Sequence, residues 1–279
     1  MRHLASKSVE TAFLSSRGKF RFRIVPELSK NIYLRMAQHR HYNNEGFRVR
    51  WSTAVVEAKL KNQRNFLIRS RRNQPDADIE KEISMLETSI KGLNDKKSVD
   101  EIMGAEGFGS KTFFRAYGKL IRGEFKFVKR EYYPPPDPVN ALLSFGYMLV
   151  FNELNGLLEA FGFDVYLGFL HSIRYGRASP ASDLIEELRS PVVDRLVIYL
   201  INLDVIKPSQ FTATENRGVR MDERALKAYL KNYEKFMTAS FVTREGDQKN
   251  YRKVVRESVE NAERVLLDNI DYSPYILHS

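Results

Sequence analysis

The chain has 279 residues, 43% of them hydrophobic, with no cysteine and a formal net charge of +10. That length suits one large domain or one with a small companion; the lack of cysteine excludes disulfides, thiolate zinc sites and cysteine nucleophiles, and points to a reducing, intracellular setting. The charge is uneven: residues 1–74 hold seventeen Lys and Arg against four Asp and Glu, and the rest hold twenty-eight against thirty-one, which suggests a polyanion partner for the first segment or, more blandly, a solvated basic face.

"MRHLASKSVE" has no apolar centre, so no secretory leader is expected, and no apolar run is read as long enough to cross a bilayer. "LASKSVETAFLSSRGKFRFRIVP" reads as a helix end and then two strands, "VETAFLS" and "KFRFRIV", around the turn signal "SRG". A lone hairpin is not stable, so it is expected to be the remnant of a larger sheet. From about Leu28 the pattern turns helical. "NIYLRMAQHRHY" and "RVRWSTAVVEAKLKNQRNFLIRSRR" space apolar residues by three and four. "NQPDAD" breaks the pattern, and Ile79, Ile83, Leu86, Ile90 and Leu93 mark one face of the next helix. "NDKKS" is a loop, and "VDEIMGAEGFGSKTFFRAYGKLI" resumes helix. "REYYPPPDP" is an extended connector. "VNALLSFGYMLVFNELNGLLEAFG" is apolar nearly all round, as a central buried helix would be. "VVDRLVIYLINLDVI" is helical, "KPSQFTATENRG" a loop, and "DERALKAYLKNYEKFM" and "YRKVVRESVENAERVLLDNI" are amphipathic helices. The expected fold is therefore mainly α: residues 1–27 a small remnant of a β sheet, and residues 28–279 a large α-helical domain.

"GAEGFGSKT" first resembles a phosphate-binding loop, but Ser110 separates the glycine from Lys111 and no apolar strand leads in. Its more informative residue is Glu106, either a solvated turn residue or a carboxylate held for a cation, since a buried carboxylate needs a partner. In "GFLHSIRYGRASPASDLIEELRSP", Ser179 and Pro180 signal a helix start. Asp183 then lies three residues from Glu186 and four from Glu187, neighbouring positions of one face. Leu184, Ile185 and Leu188 take the buried side, and Pro191 should end or kink the helix. Taken alone, Asp183 and Glu186 most often mark a solvated face, and His171 a structural histidine. One imidazole with two or three carboxylates is, however, a hard-cation set suited to Mg²⁺ or Mn²⁺. The segment 111–133 interleaves Lys and Arg with aromatics. These either bind phosphate and stack on unpaired bases or fill a core. On charge alone the candidates for such phosphate contacts are Arg64, Arg69, Arg71, Arg72, Lys111 and Arg115. No G-x-S-x-G elbow is present.

Four ordered stretches resemble one family, the CRISPR-associated integrase of spacer acquisition. "GAEGFGSKTFFRAY" resembles its glutamate motif and "PPPDPVNALLSFGYMLV" its central helix. "GFLHSIRYGRASPASDLIEELRSPVVDRLV" resembles its histidine motif with the acidic helix after it. "AFLSSRGKFRFRI" looks like the last hairpin of its N-terminal β domain, several strands of which would precede Met1. The resemblance implies an Mg²⁺- or Mn²⁺-dependent DNA endonuclease and integrase. The metal would be held by Glu106, His171 and Glu186, with Asp183 in support or catalysis and Glu187 an ordinary solvent-facing charge. It implies insertion of short DNA into a repeat array by 3′-hydroxyl transesterification. The implied partners are double-stranded DNA with single-stranded ends, CRISPR repeat DNA, a small ferredoxin-like CRISPR-associated adaptation protein and a second copy of the chain. The implied setting is the prokaryotic cytoplasm. The alternatives are a non-catalytic or truncated DNA-binding scaffold and a transposon-encoded integrase of the same family.

Overall fold

Helix starts in this chain follow capping chemistry. The computed structural model describes residues 11–15, 20–24, 31–216, 218–243 and 246–278. Asn31 caps α1 (Ile32–Tyr42) and Asn44 caps α2 (Glu45–Asn73), their side-chain oxygens accepting from the amides of Leu34 and Phe47. The helix α3 (Glu80–Lys91) follows the "NQPDAD" break. Ser98 caps α4 (Val99–Lys119), Asp137 caps α5 (Pro138–Phe161), Asp222 caps α8 (Glu223–Thr238) and Asn250 caps α9 (Tyr251–Asp268). Between α5 and α8 lie α6 (Ser179–Leu188), a π-helical turn (Arg189–Asp194) and α7 (Arg195–Asn202). The fold is mainly α, as expected from the apolar spacing.

Two details at α6 differ from the sequence reading. Ala178, not Ser179, is the cap, and the Ser179 hydroxyl is buried with no hydrogen-bond partner. Pro191 does not end the helical course. It sits in the π turn, where the amide it lacks would otherwise continue the ladder into α7.

Strands β1 (Thr11–Leu14) and β2 (Phe20–Ile24) form the expected antiparallel pair, with Thr11 opposite Ile24 and Phe13 opposite Phe22. The rings of Phe13 and Phe22 stack at 4.4 Å. The helix end read before this pair, its turn, and the onset of helix at Leu28 lie outside the described residues. The stretch read as a plain loop after α7 holds a second small pair, β3 (Phe211–Ala213) with β4 (Val219–Met221). Another, β5 (Phe241–Val242) with β6 (Gln248–Lys249), joins α8 to α9. Pairs of two and three residues leave too short an alternation for sequence pattern to register.

The core runs through the helical body. Ile79, Ile83, Leu86, Ile90 and Leu93 are all buried, as their spacing predicts. The helix α2 packs against α3, α4 and α6, and α9 packs against α1 and α5. At 24 residues α5 is long and apolar enough to cross a bilayer, contrary to the sequence reading. Its Val139, Leu142, Leu143, Val150, Leu154 and Leu158 are instead fully buried among the other helices. Aromatics of the 111–133 segment are also core: Phe113 and Tyr117 are fully buried, Phe125 is buried, and Phe114 and Phe127 pack against them. Burial takes Phe113, Tyr117 and Phe125 out of reach of a stacking base. Tyr132 and Tyr133 alone among that segment's aromatics are exposed.

Candidate active site

Four elements bring charged side chains to one place. The α2 helix contributes Lys59, α4 contributes Glu106 and Ser110, and α6 with the π turn contributes Asp183, Glu186 and Arg189. The loop between α5 and α6 contributes His171. Glu106 is not a turn residue. It lies within α4, its side chain 17% exposed.

The Lys59 ammonium sits between two carboxylates. It donates to Glu106 Oε1 and lies 2.6 Å from Glu186 Oε2. Ser110, the residue that breaks the phosphate-loop pattern, donates to Glu106 Oε1 at 2.8 Å. Arg189 grips Glu186 with a two-pronged fork, Nε to Oε2 and Nη2 to Oε1, both at 3.0 Å. The face of the Tyr147 ring supports the guanidinium from 4.5 Å. Burial alone would raise the Glu186 pKa. The charges of Arg189, Lys59 and His171 outweigh it and hold the carboxyl at about 2. Burial likewise disfavours the Lys59 charge, and Glu186 and Glu106 reverse that, leaving its pKa raised.

His171 is turned by Asp183. Asp183 is fully buried and accepts four hydrogen bonds: from the amides of Phe169 (2.7 Å), Leu170 (3.0 Å) and His171 (2.9 Å), and from the imidazole Nδ1 (2.8 Å). A carboxylate oxygen accepts, so Nδ1 donates to Asp183, and Nε2 is the ring nitrogen that this bond leaves for another partner. Gly168 makes this cradle possible. A Cβ there would lie 2.7 Å from Ser179 Cβ and 2.9 Å from Asp183 Oδ2.

Glu187 does not face solvent. It is buried, accepts from Tyr272 Oη at 2.8 Å and from the Tyr275 amide at 2.5 Å, and its pKa is pushed up to about 7 by burial, which hydrogen bonds from Ser258, Tyr272 and Tyr275 only partly offset. Asp183 and Glu186 are no solvated face either, because α6 is enclosed on all sides. The sequence reading missed Lys59, Arg189 and Tyr147. One signal for Lys59 was available: it falls on the buried stripe of Val55, Val56, Gln63 and Phe66, where a charge is out of place without a partner.

Among the described residues no three acids and histidines are already arranged around a common point as a formed metal site. Glu106 and Glu186 nonetheless share one cation, the Lys59 ammonium, and His171 is near enough for its charge to act on Glu186. Two oxygen donors and one imidazole nitrogen are the donor set of a hard or borderline divalent cation, so these residues fit one.

The profile of the family described as "CRISPR associated protein Cas1" matches residues 1–235. The chain belongs to the Cas1 family. It is 34% identical to "CRISPR-associated endonuclease Cas1 1" of Chlorobaculum tepidum, over 83% of this chain and 70% of that protein. It is 36% identical to "CRISPR-associated endonuclease Cas1" of Leptospira interrogans, over 72% and 82%. Two solved structures share the fold over the whole chain at 23% identity. One is a casposase bound to integration product, matched over 79% of its length with a TM-score of 0.85. The other is a Cas1 protein from Thermotoga maritima, matched over 83% with a TM-score of 0.79. The relatives it matches in sequence are named as CRISPR-associated endonucleases.

Of the DNA-contact candidates, Arg69, Arg72, Lys111 and Arg115 are exposed on α2 and α4. Arg64 and Arg71 are engaged with Glu87 and Glu80.

Proposed function

We propose that this Cas1 chain inserts short double-stranded DNA with single-stranded ends into CRISPR repeat DNA. The 3′-oxygen of the incoming strand attacks a repeat phosphodiester in line. One P–O bond forms as one breaks, and the departing repeat strand leaves as a 3′-hydroxyl, taking up the proton given up by the attacking one. No covalent enzyme intermediate is needed, and the count of phosphodiesters is unchanged, so the step runs in reverse on a branched product.

Glu106, Glu186 and His171 Nε2 would hold Mg²⁺ or Mn²⁺. The metal, when bound, supplies Lewis-acid polarisation of the phosphoryl oxygen and neutralises charge that builds in the transition state. Asp183 is a positioning residue: it fixes the His171 tautomer through Nδ1 and leaves Nε2 to the site. Arg189 orients Glu186 and limits the negative charge a phosphate meets there. The exposed cations of α2 and α4 take the DNA backbone. The convergence of Glu106 and Glu186 on one cation, from motifs eighty residues apart, carries this reading.

Two structural neighbours are complexes of a Cas6-RT-Cas1 protein with Cas2. We propose that the working unit here includes a small adaptation partner, and, as the family resemblance implies, that this partner is ferredoxin-like and joined by a second copy of the chain. The domain division at residue 27 belongs to the same proposal, with the β1–β2 pair assigned to a β domain.

The test uses a branched DNA that mimics the integration product. The protein should resolve it with Mn²⁺ and stop with chelator. His171→Ala and Glu186→Gln should lose at least about a hundredfold in rate, the scale of removing one transition-state stabilising group. Full activity of either variant overturns the site.

A further inference from the structure

We infer that Lys59 is a place-holder cation, which neutralises Glu106 and Glu186 while no metal is bound and is displaced from between them when a divalent metal enters. The inference rests on the metal reading above and adds a residue to it.

Charge balance carries the argument. Glu106, Glu186, Lys59 and Arg189 together sum to zero, and Lys59 and Glu186 are both nine-tenths or more buried. Two carboxylates that face each other in the interior repel and resist ionisation unless a cation lies between them. Lys59 supplies that cation: it contacts Glu106 Oε1 and Glu186 Oε2 at once. A metal added to this set would meet an ammonium where its ligands converge.

Of the two cations, Lys59 is the one built to leave. Arg189 is fixed by two parallel hydrogen bonds to Glu186 and by the Tyr147 face. A guanidinium fork is a rigid mate for a carboxylate, whereas an ammonium is a compact point charge on a flexible four-carbon stem. Lys59 projects from the middle of the 29-residue α2, so the stem can swing while the backbone stays in place. Metal and ammonium then compete for the same carboxylate oxygens. The metal-free chain keeps its site folded, and metal affinity is lowered by the competition.

The test measures Mn²⁺ binding by calorimetry and melting with and without Mn²⁺, for the wild type, Lys59→Gln, Lys59→Met and Glu106→Gln. Lys59→Gln keeps a donor for one carboxylate and drops the charge, which guards against simple misfolding. Both Lys59 variants should bind Mn²⁺ about tenfold more tightly than the wild type, within the usual range for coupled binding. Their melting temperature should fall without metal and recover with Mn²⁺, so that the metal-induced shift grows. Unchanged or weaker Mn²⁺ binding in both, or a loss of folding that Mn²⁺ does not restore, overturns the place-holder role and makes Lys59 a permanent counter-ion. A wild type that binds Mn²⁺ no better than Glu106→Gln overturns the metal reading itself, and with it this inference.

Discussion

Glu186 and Glu187 are adjacent on α6 and both buried, yet their acidities move apart, to about 2 and about 7 from an ordinary 4.5. Burial raises both. Glu186 faces Arg189 and Lys59, while Glu187 faces neutral donors on the C-terminal segment, Tyr272 and Tyr275. Their effects on stability therefore have opposite signs. The Glu186 contribution is fully present above pH 4.5 and is lost as pH falls through about 2. Glu187 keeps its proton in the folded chain up to about pH 7, while the unfolded chain releases it near 4.5. Stability from Glu187 is therefore fully present below pH 4.5 and is lost as pH rises through 7. At about 1.4 kcal/mol per pKa unit the loss is on the order of 3 kcal/mol. Glu187→Gln, which keeps the shape and an acceptor, should match the wild type at pH 4.5 and exceed it by about 1–3 kcal/mol at pH 7.5. Melting curves in chelator across that range check this, and a constant difference between the two proteins would refute it.

The approach of α2 to α4 is set by a glycine at their crossing. A Cβ at Gly109 would lie 2.3 Å from Leu60 Cδ2, and Leu60 is fully buried. Alanine there gains about 0.5–1 kcal/mol of helix propensity and loses about 1–3 to overpacking, so overpacking wins. Gly109→Ala should destabilise the chain by about 1–2 kcal/mol. It should also weaken Mn²⁺ binding, because Glu106 lies one turn away on α4 and Lys59 is next to Leu60 on α2. In a Leu60→Ala background the same substitution should cost nothing or stabilise, since the clash is gone. Additive effects in that double-mutant cycle would show that the crossing does not depend on Gly109. The helices were legible because each carries a cap or an apolar spacing of its own: Ser98 before α4, or the five residues from Ile79 to Leu93 along α3 and the turn after it. The π turn was not, since the alternative to a kink at Pro191 is decided by the packing of Val192 and Val193 in the core.

Over the whole molecule the basic excess of residues 1–74 divides by tertiary contact. Lys59 is held in the site, Arg64 and Arg71 are engaged with Glu87 and Glu80, and Arg69 and Arg72 are exposed on α2, as Lys111 and Arg115 are on α4. DNA affinity should fall steeply with salt, each phosphate contact contributing about 0.9 to the slope of log K against log salt. Replacing Arg69 and Arg72 together by Gln should flatten that slope by about two contacts' worth, and replacing Arg64 and Arg71 by less. A slope that no pair alters would remove this face from the DNA-binding surface. The sequence by itself determined the order and type of the main helices, the candidate acids and histidine, and, through four ordered motifs, the family. Those are properties of single segments: a cap, an apolar period and a motif each act within a few residues. Only the tertiary structure decided which groups those acids face. Lys59 reaches Glu106 across 47 residues of chain, Glu187 turns to the C-terminal segment, and the aromatics after Lys111 fill the core. Periodicity reports that a face is buried, but the partner that neutralises a buried charge comes from another helix, and only the packing of one helix on the next selects it.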